Sequence, residues 1–232
     1  STFWKARRSI DAPFLFRDLY HWNKVLDADT LKPIADEVYA KGDVMLIGYA
    51  GGGTRNIFAN KAVRNLAEMK GLKVRVQGAP IWSKTFSAIG MSPTVIAYDE
   101  IYNAIQNGVI QAGENEAAGV EAMKFYEVGP NLNMTQHPIT IRPICFSGNT
   151  FKKLPPDLQA AIIKAGKEAG QYGRQIESWE DSEKLDALEK AGKLKKIPFA
   201  DRAQMKKLAD PVMAEYAKEI GATEIYNKIN SM

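Results

Sequence analysis

Cysteine and histidine are almost missing from this chain. The single cysteine, Cys145, sits in the apolar run Pro143-Ile144-Cys145-Phe146, so no intramolecular disulfide can form. With no His or acidic residue close in sequence, the thiol reads as a buried structural group rather than a nucleophile. One cysteine and two histidines (His21 and His137) without ligand spacing cannot build a zinc site. No apolar stretch approaches the roughly 20 residues that a membrane-spanning helix needs. Nothing reads as a signal peptide, so an exported protein is expected to be represented here by a processed or cut chain. Neither a Gly-x-Ser-x-Gly elbow nor a His-Glu-x-x-His zinc motif occurs. Gly48, Gly51, Gly52 and Gly53 lead into the extended stretch Thr54-Arg55-Asn56-Ile57-Phe58, not into a Lys-Ser/Thr helix start, so they make no nucleotide fingerprint. Glu114 and Glu116 flank Asn115, but on a helix residues i and i+2 do not face each other. The expectation is a protein with no cofactor, no metal and no catalytic set, hence not an enzyme.

Charge of one sign is also scarce. The chain carries 31 basic and 27 acidic side chains, a net charge of +4. That surplus is small and evenly spread, which argues against a nucleic-acid partner. The densest basic stretch, Lys190 to Lys207, is interleaved with Glu189, Asp201 and apolar residues and reads as a solvated face. What the chain does have is apolar content: 45% of 232 residues, enough for one large domain or two small ones.

Helical and extended patterns alternate along the chain. Asp29 to Lys41 is predicted helical, with Leu31, Ile34, Ala35 and Val38 on one face. Asp43 to Tyr49 is nearly continuous and apolar, as in a strand buried on both faces, and Gly51 to Gly53 should break it. A short strand is expected over Thr54 to Ala59, and another over Leu72 to Val76 with one polar face. Pro80 to Ile89 reads as a helix closed by Gly90. Pro93 to Ala97 is extended, Asp99 to Gln106 helical, Val109 to Gly113 a strand, Glu114 to Tyr126 a helix and Ile139 to Ser147 a longer strand. Pro156 and Asp157 then open a long helix. Leu158, Ile162, Ala165, Ala169, Tyr172, Ile176 and Trp179 recur along it at spacings of four and three. Extended to about Ala191, it would be roughly 50 Å long. A coiled coil shows such spacing, but Gly166, Gly170 and Gly173 make a poor seam, and a helix lying along two successive domains fits better. The order of elements predicts an α/β architecture with largely parallel sheets.

Three arginines, Arg55, Arg75 and Arg142, lie inside short strand-like segments. Such a residue is ordinarily at a sheet edge or on a solvent face. A guanidinium on a rigid strand also offers a planar fork matched to a carboxylate. Both readings remain open at this level.

Several stretches together resemble the DctP-type solute-binding proteins of tripartite ATP-independent periplasmic (TRAP) transporters. They are Asp11-Ala12-Pro13-Phe14-Leu15-Phe16-Arg17-Asp18, Lys24-Val25-Leu26-Asp27, Gly71-Leu72-Lys73-Val74-Arg75-Val76, Asp99 to Gln106, Gly113-Glu114-Asn115 and Lys124-Phe125-Tyr126-Glu127-Val128. The resemblance covers nearly the whole chain. It implies two α/β lobes around a cleft, spanned by a long helix, with residues 1–52 and 141–180 in one lobe and 53–140 with 181–232 in the other. It implies that Arg75 makes the principal salt bridge to a ligand carboxylate, that Arg55 assists, that Asn115 hydrogen-bonds the same group and that Tyr98 packs on the ligand. The position of Arg142 faces the pocket in sugar-acid binders, where it is often uncharged. The implied partners are a small organic acid (a sugar acid or hydroxy acid) and the membrane permease subunits of a TRAP transporter, in the periplasm, with no nucleic acid and no direct membrane insertion. The competing readings are an enzyme acting on a carboxylic acid, with the arginines as a clamp, and a ligand-sensing domain of a regulator.

Two departures from the family pattern stand out. Where the family often has Asp-Gly-Gln-Glu-Asn, this chain has Gln111-Ala112-Gly113-Glu114-Asn115. The family also begins with strand and helix units upstream of the point where Ser1 aligns. The expectation is therefore either a longer natural chain, forming a monomer or weak dimer, or an incomplete first lobe. An incomplete lobe would leave a sheet edge unpaired, favour dimers and close its cleft poorly.

Overall fold

Two sheets organise the computed structural model, which describes residue 10 and residues 12–232. The elements in chain order begin with α1 (Leu19–Asp27), α2 (Lys32–Gly42), β1 (Val44–Thr54), β2 (Asn56–Ala59), α3 (Leu66–Met69) and β3 (Lys73–Val76). Next come α4 (Pro80–Ile89), β4 (Ser92–Val95), α5 (Ile101–Gln106), β5 (Ala112–Asn115), α6 (Ala117–Ala122), β6 (Asn131–Asn133) and β7 (Ile139–Ser147). The last are α7 (Gly148–Phe151), α8 (Pro156–Lys190), β8 (Lys195–Ile197), α9 (Arg202–Glu219) and α10 (Thr223–Ser231). One sheet is the antiparallel pair β1–β7, and the other has six strands in the order β4-β3-β5-β2-β6-β8.

Parallel pairing accounts for only part of the six-stranded sheet. β3 runs parallel to β4 and β5, and β6 to β8, but β2 is antiparallel to both β5 and β6. The expectation of largely parallel sheets fails at β2 and in the wholly antiparallel pair β1–β7, because strand direction follows from which distant segments pair and not from the local pattern. Both faces of this sheet are covered. On β2, Ile57 and Ala59 enter one apolar cluster with Trp82, Phe86, Met205 and Trp22, while Phe58 enters a second with Phe125, Ile101 and Leu185. That is the period-two alternation of a strand sandwiched between helical layers.

Local chemistry explains most boundaries. Pro80 opens α4, and Gly90 closes it with φ +101°, a conformation that suits glycine. Asp18 caps α1 by accepting a hydrogen bond from the His21 amide at 2.7 Å. Pro156 opens α8 with Asp157 in its first turn. β1 departs from expectation: it does not stop at the glycines but continues to Thr54, with a register shift between Gly51 and Thr54. Gly51 and Gly52 adopt φ of +109° and +121° there, so the glycines carry an irregularity within the strand rather than ending it. Nor is β1 buried on both faces, since most of its residues are only partly buried. Cys145, expected buried, is exposed on β7, where the sheet is only two strands wide.

The 35-residue α8 is a single helix that packs on β1 and β7 and, further along, on α6 and β8. The result is the two-lobed α/β architecture with a helix spanning both parts. Its apolar stripe, however, is not its buried face. Tyr172 and Trp179 are 67% and 62% exposed, whereas Gly166, Gly170 and Arg174 are buried. A Cβ on Gly166 would lie 2.5 Å from the Ile47 carbonyl oxygen, and one on Gly170 would lie 2.7 Å from the Tyr49 nitrogen. The helix meets the strand almost backbone to backbone, and only glycine permits that approach. Arg174 then crosses to α1, pairing with Asp27 and lying 5.9 Å from the Trp22 ring.

Candidate functional site

Neighbouring strands bring three of the singled-out residues together. β2 and β5 pair with Asn56 opposite Asn115 and Ile57 opposite Glu114, and Arg55 immediately precedes β2. Arg75 lies within β3, which flanks β5 on its other side. Tyr98 sits in a short 3-10 turn, Tyr98–Glu100, between β4 and α5.

Arg55 is engaged by a carboxylate of the chain itself. Its Nε donates to Glu114 Oε2 at 2.5 Å and its Nη2 to Glu114 Oε1 at 2.8 Å and to the Glu114 carbonyl at 3.1 Å. Behind the pair stands His137, whose Nε2 is 3.6 Å from Glu114 Oε2 and whose Nδ1 is 2.9 Å from the Thr135 hydroxyl. Taking the hydroxyl as donor places the ring hydrogen on Nε2, facing the carboxylate. Trp82 covers the group, 5.9 Å from both Arg55 Cζ and the His137 ring. Burial alone would raise the Glu114 carboxyl, but the Arg55 guanidinium with its hydrogen bonds, helped by the nearby His137 ring, outweighs it and holds it at about 2. Burial would lower Arg55, but the same carboxylate raises it above its ordinary value. Burial lowers His137 despite Glu114, so the ring is neutral at pH 7.

Arg75 is different. It is only 6% exposed, yet among the described residues it makes a single hydrogen bond, from Nε to the Ile96 carbonyl at 2.9 Å, and no carboxylate forms an ion pair with it. Burial lowers its pKa; Glu114 acts against that shift, and the neighbouring Arg55 adds to it. Its guanidinium carbon lies 5.7 Å from the Tyr98 ring. The Tyr98 hydroxyl accepts from Asn115 Nδ2 at 2.8 Å, and Asn115 Oδ1 accepts from the Glu116 amide at 3.0 Å, which fixes the carboxamide. Among the described residues, then, a buried guanidinium with no carboxylate partner lies near a phenol that is hydrogen-bonded to an oriented amide; a guanidinium fork is matched in geometry to a planar anion. Glu114, held ionised so far down, is a poor general base.

Arg142 stands apart from this group. It is half-exposed on β7, with Nη2 donating to Glu116 Oε1 and Nε donating to Glu177 Oε2 at 2.8 Å. It connects with the site only through Glu116, whose Oε2 lies 3.8 Å from Arg55 Nη1. Its fork is occupied because Glu116 and Glu177 converge on it from two other elements.

Glu114, Glu116, His137 and Trp82 were not expected at the site. The local pattern predicts a helix from Glu114, on which the two glutamates would not face each other. Glu114 belongs to β5 and Glu116 follows it, and on an extended chain residues i and i+2 share a face. Both therefore reach Arg55. His137 carries no sequence signal, since its neighbours in the site, Arg55, Trp82 and Glu114, all come from distant parts of the chain. Among the described residues no cluster of His, Cys, Asp or Glu could hold a metal ion, and no helix is long and apolar enough to cross a membrane.

Known proteins share this arrangement of elements. The profile of family 7 of the bacterial extracellular solute-binding proteins, DctP, matches residues 2–219. A solute-binding protein of Sulfitobacter sp. (strain NAS-14.1) is 50% identical over 222 residues, covering 96% of this chain and 67% of its own length. The crystal structure of a TRAP periplasmic solute-binding protein from Sulfitobacter sp. NAS-14.1 with bound α-D-taluronate superposes with a TM-score of 0.92 at 49% identity, covering 98% of this chain and 74% of that one. A TRAP solute-binding protein from Roseobacter denitrificans with bound β-D-glucuronate gives a TM-score of 0.85 at 26% identity, over 96% and 74% of the two chains. The chain thus spans about two thirds of the length of the curated relatives it matches. With the match running through nearly every described element, the chain belongs to family 7 of the bacterial extracellular solute-binding proteins, the DctP family.

Proposed function

We propose that this chain is the ligand-holding part of a periplasmic TRAP solute-binding protein that binds a sugar acid and delivers it to the membrane permease subunits. The observation that carries the reading is Arg75: a cation this deeply buried, with no carboxylate partner among the described residues, is matched by an anion from outside the chain. Arg75 supplies the fork, Asn115 the amide donor and Tyr98 an aromatic face, while Glu114 and His137 hold Arg55 in place beside them. Residues 1–52 with 141–180, and 53–140 with 181–232, are taken as the two lobes that close on the ligand. Uronates are the favoured class, because relatives at 49% and 26% identity carry taluronate and glucuronate. The reading is of a binder rather than an enzyme. Calorimetric titration with D-taluronate, D-galacturonate, D-glucuronate and C4-dicarboxylates tests it. A uronate should bind, and at a hundredfold over its Kd should stabilise the fold by about 2.7 kcal/mol. Arg75→Lys should bind weakly, since an ammonium cannot reproduce the fork. Unchanged uronate affinity in Arg75→Ala would place the site elsewhere.

A further inference from the structure

We propose that Arg142 is a positioning residue that ties the crossing between the two sheets into an ion-pair junction and thereby sets the lobe angle at which the carboxylate site is complete. The proposal rests on the binding function above. The chain passes between the sheets three times, from β1 to β2, from β6 to β7 and, through α8 itself, from β7 to β8. At the first passage the β1–β7 register shifts between Gly51 and Thr54, so ladder hydrogen bonds are interrupted. The orphaned amides are taken up by α8: Gly51 N donates to Glu177 Oε1 at 3.1 Å and Thr54 N to Asp181 Oδ2 at 3.1 Å. Asp181 Oδ1 also accepts from Ala117 N, the first residue of α6, at 2.8 Å. Side chains of one helix thus replace a strand neighbour where the backbone is least regular.

Arg142 closes this arrangement. From β7 it reaches Glu177 on α8 with one arm and Glu116, at the corner between β5 and α6, with the other. The Thr140 hydroxyl, two residues earlier on β7, donates to the remaining Glu116 oxygen. A small cavity of about 30 Å³ at the junction is lined, among others, by Gly53, Glu116, Arg142, Glu177, Asp181 and Lys184. Nε and Nη2, which form one bidentate edge of the Arg142 guanidinium, each donate to a protein carboxylate, so that edge serves the crossing rather than a ligand. Glu116 then links the junction to Arg55 at 3.8 Å, and so to the binding group.

The prediction is a loss of affinity without a loss of selectivity. Calorimetry on the full chain compares Arg142→Gln, Glu177→Gln and the double variant, using D-galacturonate and D-taluronate, with small-angle X-ray scattering on each protein. Each single variant should weaken both uronates about tenfold and equally, in the range by which residues off the ligand modulate coupling. The double variant should lose clearly less than the sum of the two singles, because both remove the Arg142–Glu177 contact. Scattering should show a broader lobe distribution without ligand. A changed galacturonate-to-taluronate ratio in Arg142→Gln, with Glu177→Gln silent, would make Arg142 a ligand contact and overturn the proposal. Additive losses, or unchanged affinity in every variant, would also overturn it. If the unmodified protein binds neither uronate, the proposed ligand class fails, and ligand-free scattering still decides on the junction: an unchanged lobe distribution in Arg142→Gln refutes it.

Discussion

Replacing Arg75 with methionine separates a residue kept for binding from one kept for stability. Methionine preserves the unbranched stem that lies near Tyr98 and removes the charge. Removing one partner of a buried ion pair ordinarily costs 3–5 kcal/mol, because the other charge is left uncompensated; about that much is expected wherever the pair is real. Arg75 has no such partner among the described residues. Its losses are one hydrogen bond to the Ile96 carbonyl, about 1.5–3 kcal/mol for a charged donor, and part of the contact with Tyr98. Its gain is relief from burying a cation. The depressed pKa of Arg75 has burial as its largest cause, which means that folding disfavours the charged form. The two sides offset each other, so the ligand-free variant should lie within about 1 kcal/mol of the parent, roughly 2–4 °C in Tm for a chain of this size. Urea and thermal unfolding without ligand measure this, and repetition with a saturating uronate should show the parent's stabilisation abolished. A loss above about 3 kcal/mol in the ligand-free variant would refute the reasoning, since Arg75 would then be compensated within the chain.

Glu114→Gln provides the contrast: it removes the bidentate partner of Arg55, leaving only the longer Glu116 contact, and should cost about 3 kcal/mol by urea unfolding. Gly170→Ala should destabilise by about 1–2 kcal/mol, because the new Cβ meets the Tyr49 backbone, which cannot rotate away, and helix propensity returns only about 1 kcal/mol; Gly173→Ala, which meets the Ala50 methyl at 2.8 Å, should cost less. Asp181 is raised by burial from 3.8 to about 6, against hydrogen bonds from Ala117 and Thr54. Its contribution is therefore fully present below about pH 4 and is lost as pH rises through 6, a span worth about 2–3 kcal/mol. His21 and His137, both lowered by burial, act in the opposite direction. The test is therefore the difference: Asp181→Asn should remove the part of the change between pH 5 and pH 7.5 in urea midpoint that favours pH 5, and an unchanged pH profile would count against the shift.

Legibility in the sequence followed the locality of the physics. Pro80, Gly90 and Pro156 each act within a turn of themselves, and α4 and α8 begin or end at those residues. The run Ile139 to Ser147 matches β7 to the residue. Arg55, Arg75 and Asn115 could be singled out from strand patterns and family resemblance, and the fold does bring them to adjacent strands. What could not be read were consequences of pairing. Glu114 looked helical because nothing nearby shows that β2 claims it as a strand partner. His137 became a neighbour of Glu114 only through that pairing. The stripe on α8 misled because apolar spacing usually marks a buried face, whereas this helix buries its glycines against a backbone.

That glycine contact has a mechanical consequence. Ordinary packed elements slide over one another by rearranging interlocked side chains. Between Gly166 to Gly173 of α8 and Ile47 to Ala50 of β1 there is no such layer to rearrange. Helix and strand therefore move as one stiff plate, like a beam clamped along one end. Beyond Gly173 the helix is also held to β1 through side chains, Glu177 on the Gly51 amide and Asp181 on the Thr54 amide, and an applied load from either lobe falls on those hydrogen bonds.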